Sequence, residues 1–181
     1  MTSDQTPKAV YGLNVGTYEE GLEHVGVRTE PRYADAEVSE GVGRAFASAV
    51  RDGNPLWWDE GLARSVAGGP VVPPATLVSW VTNLDWKPDG SGGPGTALLT
   101  SVPLPGDSMI NVSSEIEFFD HLRVGDRYHV IEVVEDISPE KRTSAGRGHF
   151  LTMVADYHRQ DGTLVASQRN VMLRFWAEGN R

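Results

Sequence analysis

Apolar residues recur at Val38, Val42, Ala45, Phe46 and Ala49, the spacing of one helical face, which predicts an amphipathic helix over 38–50. Ser39 stands where its N-cap belongs. Gly41 and Gly43 each cost such a helix about 1 kcal/mol relative to alanine. The helix therefore depends on packing its apolar face, and the glycines admit close approach by another backbone. A shorter helix is predicted over 60–67, opened by Asp59 and closed by Gly68-Gly69. Residues 69–74, with Pro70, Pro73 and Pro74, read as a rigid loop leading to a third helix over 75–84. Its Leu77, Val78, Trp80, Val81 and Leu84 cover more than one face, the pattern of a buried helix. Pro74 suits its first turn, where a missing N–H does no harm.

Later in the chain the period falls to two. Strands are predicted over 109–119, over 127–134 after the turn Arg123-Val124-Gly125-Asp126, and over 149–158 and 164–175. The last two flank Gln160-Asp161-Gly162, a specific hairpin signal. Residues 25–30 read as a short edge strand. Residues 1–24 read as a loose arm, leaving one domain over 25–181. The Gly-, Pro- and Asp-rich stretch 85–107, with a short apolar piece at 97–102, reads as a flap over a pocket or as a surface excursion. Helices first and antiparallel strands after, around one buried helix, make an α+β fold: a curled antiparallel sheet wrapped on a central helix.

The predicted helices 38–50 and 60–67 are joined by Arg51-Asp52-Gly53-Asn54-Pro55-Leu56-Trp57-Trp58-Asp59. A tight turn with a carboxylate on one side and two tryptophans on the other has two readings. One is a pocket edge, since polar loop residues held by a scaffold often carry function. The simpler one is a helix–turn–helix corner, with Asp52 capping a backbone group and Trp57 filling the core.

Composition narrows the chemistry. Twenty-five acidic against 16 basic residues give a net charge of -9 over 181 residues, which argues against nucleic acid as the main partner. With no cysteine, thiol catalysis, disulfides and Cys-type zinc sites are excluded. The polar N-terminus and the lack of a long apolar run point to a cytoplasmic protein with no membrane partner. His24, His121, His129, His149 and His158 show no metal-ligand spacing. No G-x-S-x-G, P-loop or dinucleotide fingerprint occurs. Lys141, Arg142 and Arg147 form a small basic cluster that is either a solvated turn or a contact for a ligand's phosphates.

The stretch Arg51 to Asp59 resembles the active-site segment of MaoC-like, or (R)-specific, enoyl-CoA hydratases, whose hallmark runs Gly-Asp-x-Asn-Pro-Leu-His-x-Asp. The stretch Gly69 to Pro74 is similar to that family's approach to its central "hot-dog" helix. Phe118-Phe119-Asp120-His121-Leu122-Arg123-Val124-Gly125-Asp126 is similar to its (Arg)-Pro-Leu-x-x-Gly-Asp motif. The resemblance implies a hot-dog fold, an acyl thioester on CoA or acyl carrier protein as substrate, and no further cofactor or metal. It implies general acid and base catalysis by an Asp and a His, with a helix N–H polarising the carbonyl. Here Trp57 replaces the histidine, and an indole neither takes up nor returns a proton near neutral pH. Pro73 and Pro74 supply no N–H at the helix start. Asp52 and Asn54 remain as relic positions.

This pattern resembles the longer, non-catalytic subunit of heteromeric hydratases of the steroid side-chain or hydroxyacyl-carrier-protein type. In those, a smaller MaoC-like partner holds the catalytic pair, in a dimer or a dimer of heterodimers. On that basis Trp57, Trp80, Trp86, Val72 and Pro74 are expected to wall an acyl pocket, for a bulky steroid-type group among others. Lys141, Arg142 and Arg147 are expected to meet the carrier's phosphates. A thioester- or lipid-binding hot-dog protein without turnover, and a self-sufficient homodimeric hydratase, stay open beside this reading.

Overall fold

The alternating last third of the chain folds into one antiparallel sheet, and a short helix lies across part of one face. The computed structural model describes residues 12–84, 86–90 and 98–177. In chain order the elements are α1 (Tyr18–Leu22), β1 (Arg32–Tyr33), α2 (Glu40–Ala49), α3 (Glu60–Ala67), β2 (Val71–Val72), α4 (Leu77–Val81), α5 (Leu98–Ser101), β3 (Ser108–Phe118), β4 (Leu122–Arg123), β5 (Tyr128–Ile137), β6 (Lys141–Thr143), β7 (Gly146–Arg159) and β8 (Leu164–Ala177). Single 3-10 turns, Pro55–Trp57 and Pro74–Thr76, precede α3 and α4. The main sheet has six strands, ordered β1-β5-β7-β8-β3 with β6 beside β7, while β2 and β4 pair separately.

The Asp-Gly signal closes the longest hairpin. Gly162 takes φ +86°, which a side chain resists. The Asp161 carboxylate accepts the Thr163 N–H at 2.9 Å. Along β7, alternate residues Leu151, Met153, Ala155 and Tyr157 are all buried, so one face of this strand is core along most of its length. Two clusters divide that face. Ala155 and Tyr157, with Tyr128 and Val130 of β5, pack against Leu77, Trp80 and Val81 of α4. Leu151 and Met153, with Val134 and Ile137, pack against Val102, Leu104, Leu98 and Tyr18. Burial pushes the Tyr157 hydroxyl up to about 12, with Glu132 adding to it.

The division follows from a central helix shorter than the expected 75–84. The chain leaves helical geometry at Thr82 (φ -76°, ψ 123°). The Arg32 guanidinium donates to the Val81 carbonyl, and Asp35 accepts the Leu84 N–H at 3.0 Å. Contacts from the β1 region thus end the helix, which local propensity cannot reveal.

What α4 leaves uncovered is filled from two segments expected to be loose. Within 85–107, the apolar piece forms α5, and Val102 and Leu104 are fully buried. This part is core and neither flap nor surface excursion; Asp85 and 91–97 lie outside the described residues. Residues 12–24, expected in a loose arm, are packed, whereas 1–11 lie outside the described residues. Asn14 N–H donates to Thr100 O at 2.8 Å, and Gly16 N–H to Leu104 O at 3.3 Å. Arg174, 1% exposed, donates to Gly106 O at 2.8 Å and Asn14 O at 2.7 Å. Burial brings its guanidinium down to about 10. The expected strand over 25–30 is reduced to single bridges, Val25 to Val134 and Arg28 to Val133, and β1 takes the edge.

Ser39 caps α2 through the Val42 N–H, and Gly43 faces β2. A Cβ there would lie 2.4 Å from Val72 Cγ1, so this glycine gives the close approach its place in the helix suggested. Among the described residues no helix is long and apolar enough to cross a membrane.

Candidate functional site

The turn after α2 is built around the Asp52 carboxylate. Its Oδ1 accepts the Asn54 N–H at 3.0 Å and its Oδ2 accepts the Trp57 indole N–H at 2.8 Å. Its carbonyl accepts the Trp58 indole N–H at 3.0 Å. Asn54 Oδ1 in turn accepts the Leu56 N–H at 3.1 Å, starting the 3-10 turn at Pro55. Arg51 occupies the hallmark's glycine position and takes φ 57°, the left-handed region that favours glycine. Trp57 is 8% exposed and packs with Ala47, Ala63, Ala67 and Val71. Arg44 holds the Trp57 carbonyl at 3.1 Å. This is the helix–turn–helix corner of the simpler reading. Both carboxylate oxygens are engaged by donors of the turn, and the residue beside them cannot exchange a proton.

The corner is also one bank of a groove of about 240 Å³. Asn54, Leu56 and Trp57 line it from the turn, Val72 and Pro74 from the approach to α4, and Phe118, Asp120, His121 and Leu122 from the β3–β4 connection. Its walls are mainly apolar, with few polar groups, the usual make-up of a small-molecule site.

Beneath the groove lies a charge network. Arg123 donates to both Asp120 oxygens at 2.6 and 2.9 Å. Arg159 bridges Asp120 and Asp126, at 2.8 Å each. The Arg123 guanidinium beside Asp120 holds its carboxyl well below the usual carboxylate range, against the opposing effect of burial. Because the folded-state value is depressed, the stabilisation is complete above the unfolded value, about 3.9. It is lost as pH falls below that value toward the folded one. Asp120→Asn is therefore expected to lower the thermal midpoint at neutral pH. The gap to the unmodified chain should hold to about pH 4 and narrow below it; a gap that widens on acidification would contradict this.

The structure brings Asp52, Asn54, Trp57, Val72 and Pro74 together at one site. It does not bring Trp80 or Trp86 there. Trp80 is 7% exposed in the core cluster, its indole donating to Thr76 Oγ1 at 2.9 Å. Trp86 is 75% exposed. Neither walls this groove, because α4 turns Trp80 onto the sheet and ends before residue 86. The basic cluster is also elsewhere. Lys141, Arg142 and Arg147 lie on the β6–β7 hairpin. There Gly148 pairs with Phe175, nine positions along β8 from the Ala166 that faces Phe118, which is about 30 Å at strand rise. Arg147 pairs with Glu140 at 2.6 Å, and Lys141 lies over Phe150 at 5.5 Å. Within this chain the cluster cannot reach the groove. The groove residues that sequence reading missed are Leu56, Phe118, Asp120, His121 and Leu122. The signal for His121 was present: a histidine where the similar motif has proline. Among the described residues no cluster of three or more His, Asp or Glu side chains could hold a metal.

Comparison with known proteins places the chain in a family and a fold. The profile of the FAS1-like dehydratase domain region matches residues 23–168. The probable enoyl-CoA hydratase alpha subunit of Thermomonospora curvata is 37% identical over an alignment of 166 positions that covers 87% of this chain and 52% of that protein. The chain thus spans about half the length of this curated relative. Among solved structures, the ChsH1-ChsH2 complex from Mycobacterium tuberculosis gives a TM-score of 0.71 at 21% identity, covering 89% of this chain and 92% of the matched one. The MaoC-like dehydratase from Rhodospirillum rubrum gives 0.58 at 22%, covering 85% and 95%. At these identities the structures establish the fold, an open hot-dog sheet.

Proposed function

We propose that this chain, which belongs to the FAS1-like dehydratase domain family, is one subunit of a heteromeric enoyl-thioester hydratase that also works in reverse as a 3-hydroxyacyl dehydratase. In this reading it shapes the acyl groove, and a smaller MaoC-like partner supplies the Asp and His that move the protons. The observation that carries it is the 2.8 Å bond from the Trp57 indole to Asp52. The turn keeps the Asp and Asn of the motif it resembles, while its carboxylate is satisfied and Trp57 stands where that motif has histidine. The named similarity to a hydratase alpha subunit supports the class of reaction. Adding water across an enoyl thioester transfers only a proton and a hydroxide, so the reading calls for no metal or redox cofactor. The acyl group arrives on CoA or acyl carrier protein, and a bulky, steroid-type group is within the reading.

The partner's place is inferred from β3. This edge strand of 11 residues is exposed along most of its length on both faces, with Ile110, Val112, Ile116 and Phe118 open to solvent. It carries no proline or lysine, and its guards are Glu115, Glu117 and a bulge between Asn111 and Ser113; a free edge of this length is open to pairing with another strand. Continuing the sheet through β3 would pair its open backbone groups and set partner side chains beside these on the same faces.

The test is to assay enoyl-CoA hydration by the purified chain, by a short MaoC-like chain with an intact Asp and His, and by the two together. The expected result is no turnover by this chain alone and full turnover by the pair. Ile116→Lys should weaken assembly at least tenfold by sedimentation, since it places a charge on the seam. Turnover by this chain alone, abolished in Asp52→Asn, would overturn the reading.

A further inference from the structure

Two side chains in the groove are chemically unfinished. Among its polar residues, Asp120 is saturated by Arg123 and Arg159. The His121 imidazole and the Asn54 side-chain N–H2 have no hydrogen-bond partner among the described residues; only Asn54 Oδ1 is engaged, by Leu56. They come from different elements, one at the turn after α2 and the other between β3 and β4, yet both line the same groove. His121 is also firmly based. Its N–H donates to Asp120 at 2.7 Å, its carbonyl accepts from Arg159 at 3.5 Å, and Asp120 and Arg159 are locked to each other.

Resting on the acyl-groove reading, we propose that His121 and Asn54 are specificity-determining residues that select an acyl group carrying an oxygen of its own, a hydroxyl or a ketone. A neutral imidazole offers one donor and one acceptor, and a carboxamide N–H2 offers donors. Together they match a hydroxyl in either sense and a ketone as acceptor. An acyl group without oxygen would strip water from both side chains and return nothing, and unpaired polar groups are what make a site reject such an analogue. The apolar remainder, Leu56, Trp57, Phe118 and Pro74, takes the hydrocarbon part.

The probes are cyclohexanecarbonyl-CoA and its 3-hydroxy, 4-hydroxy and 4-oxo analogues, titrated into the full chain by calorimetry. At least one oxygenated analogue is expected to bind about tenfold tighter than the parent, the equivalent of one hydrogen bond gained. His121→Leu should erase that preference while leaving parent binding within about twofold. Asn54→Asp, which retains the acceptor for Leu56, should reduce the preference for the ketone. Equal binding of all four by the unmodified chain, or an undiminished preference in His121→Leu, overturns this inference alone. No binding of any thioester overturns the acyl-groove reading and this inference with it.

Discussion

Gly148→Ala is expected to leave little folded protein, with a loss of about 3 kcal/mol or more. Gly148 lies in β7 opposite Phe175 of β8. A Cβ at this position would sit 2.0 Å from the Arg174 carbonyl oxygen, 2.7 Å from Phe175 Cβ and 2.8 Å from Phe175 Cα. Two of these three atoms are backbone of the paired strand and cannot rotate away. Relief requires β7 and β8 to separate where Arg174 ties the sheet to Gly106 and Asn14. Net stabilities of domains are about 5–15 kcal/mol, so this one methyl removes a large share. Gly53→Ala is the control, because a Cβ there meets nothing within 4 Å; its denaturation midpoint should barely move. A folded Gly148→Ala chain of unchanged midpoint would show that the two strands do not approach so closely.

Trp57→Ala is expected to cost about 3–5 kcal/mol, the range for deleting a buried tryptophan. The indole fills the space between α2, α3 and β2, and it is the donor to Asp52 Oδ2. Removing it opens a cavity and frees the carboxylate at once. Trp57→Phe separates the two contributions. It keeps most of the volume and loses the N–H, so a cost of about 1–2 kcal/mol is expected. Denaturant unfolding measures both. A Phe variant as unstable as the Ala variant would place the stabilisation in the hydrogen bond; a neutral Ala variant would mean that Trp57 is not structural.

Periodicity, caps and turn chemistry exposed the elements whose causes are local. Asp59 and Gly68 bound α3 where expected, and the Asp161-Gly162 turn set the β7–β8 hairpin. The corner at Asp52 was legible for the same reason, since an Asx-type turn and a neighbouring indole need only a few residues. The extent of α4 was not legible, because Arg32 and Asp35 end it from a distant part of the chain. The burial of Val102 and Leu104 was hidden in loop-like composition, since what makes them core is the space a short α4 leaves. Trp80 and Trp86 were assigned to a wall on residue type, and helix phase and helix end put them elsewhere. His121 was visible as a substituted position, but its place in the same groove as Asn54 depends on how β4 pairs with β2.

Asp52 is a structural residue of this chain and not its catalyst under the proposed function. The most direct measurement is the hydration rate of the assembled complex with Asp52→Asn in this chain alone, set beside the equivalent change in the partner's catalytic aspartate. The expected change in kcat is no more than about threefold in the first case and a fall of about a hundredfold or more in the second. A hundredfold fall caused by Asp52→Asn, with the complex still assembled and folded, would contradict it.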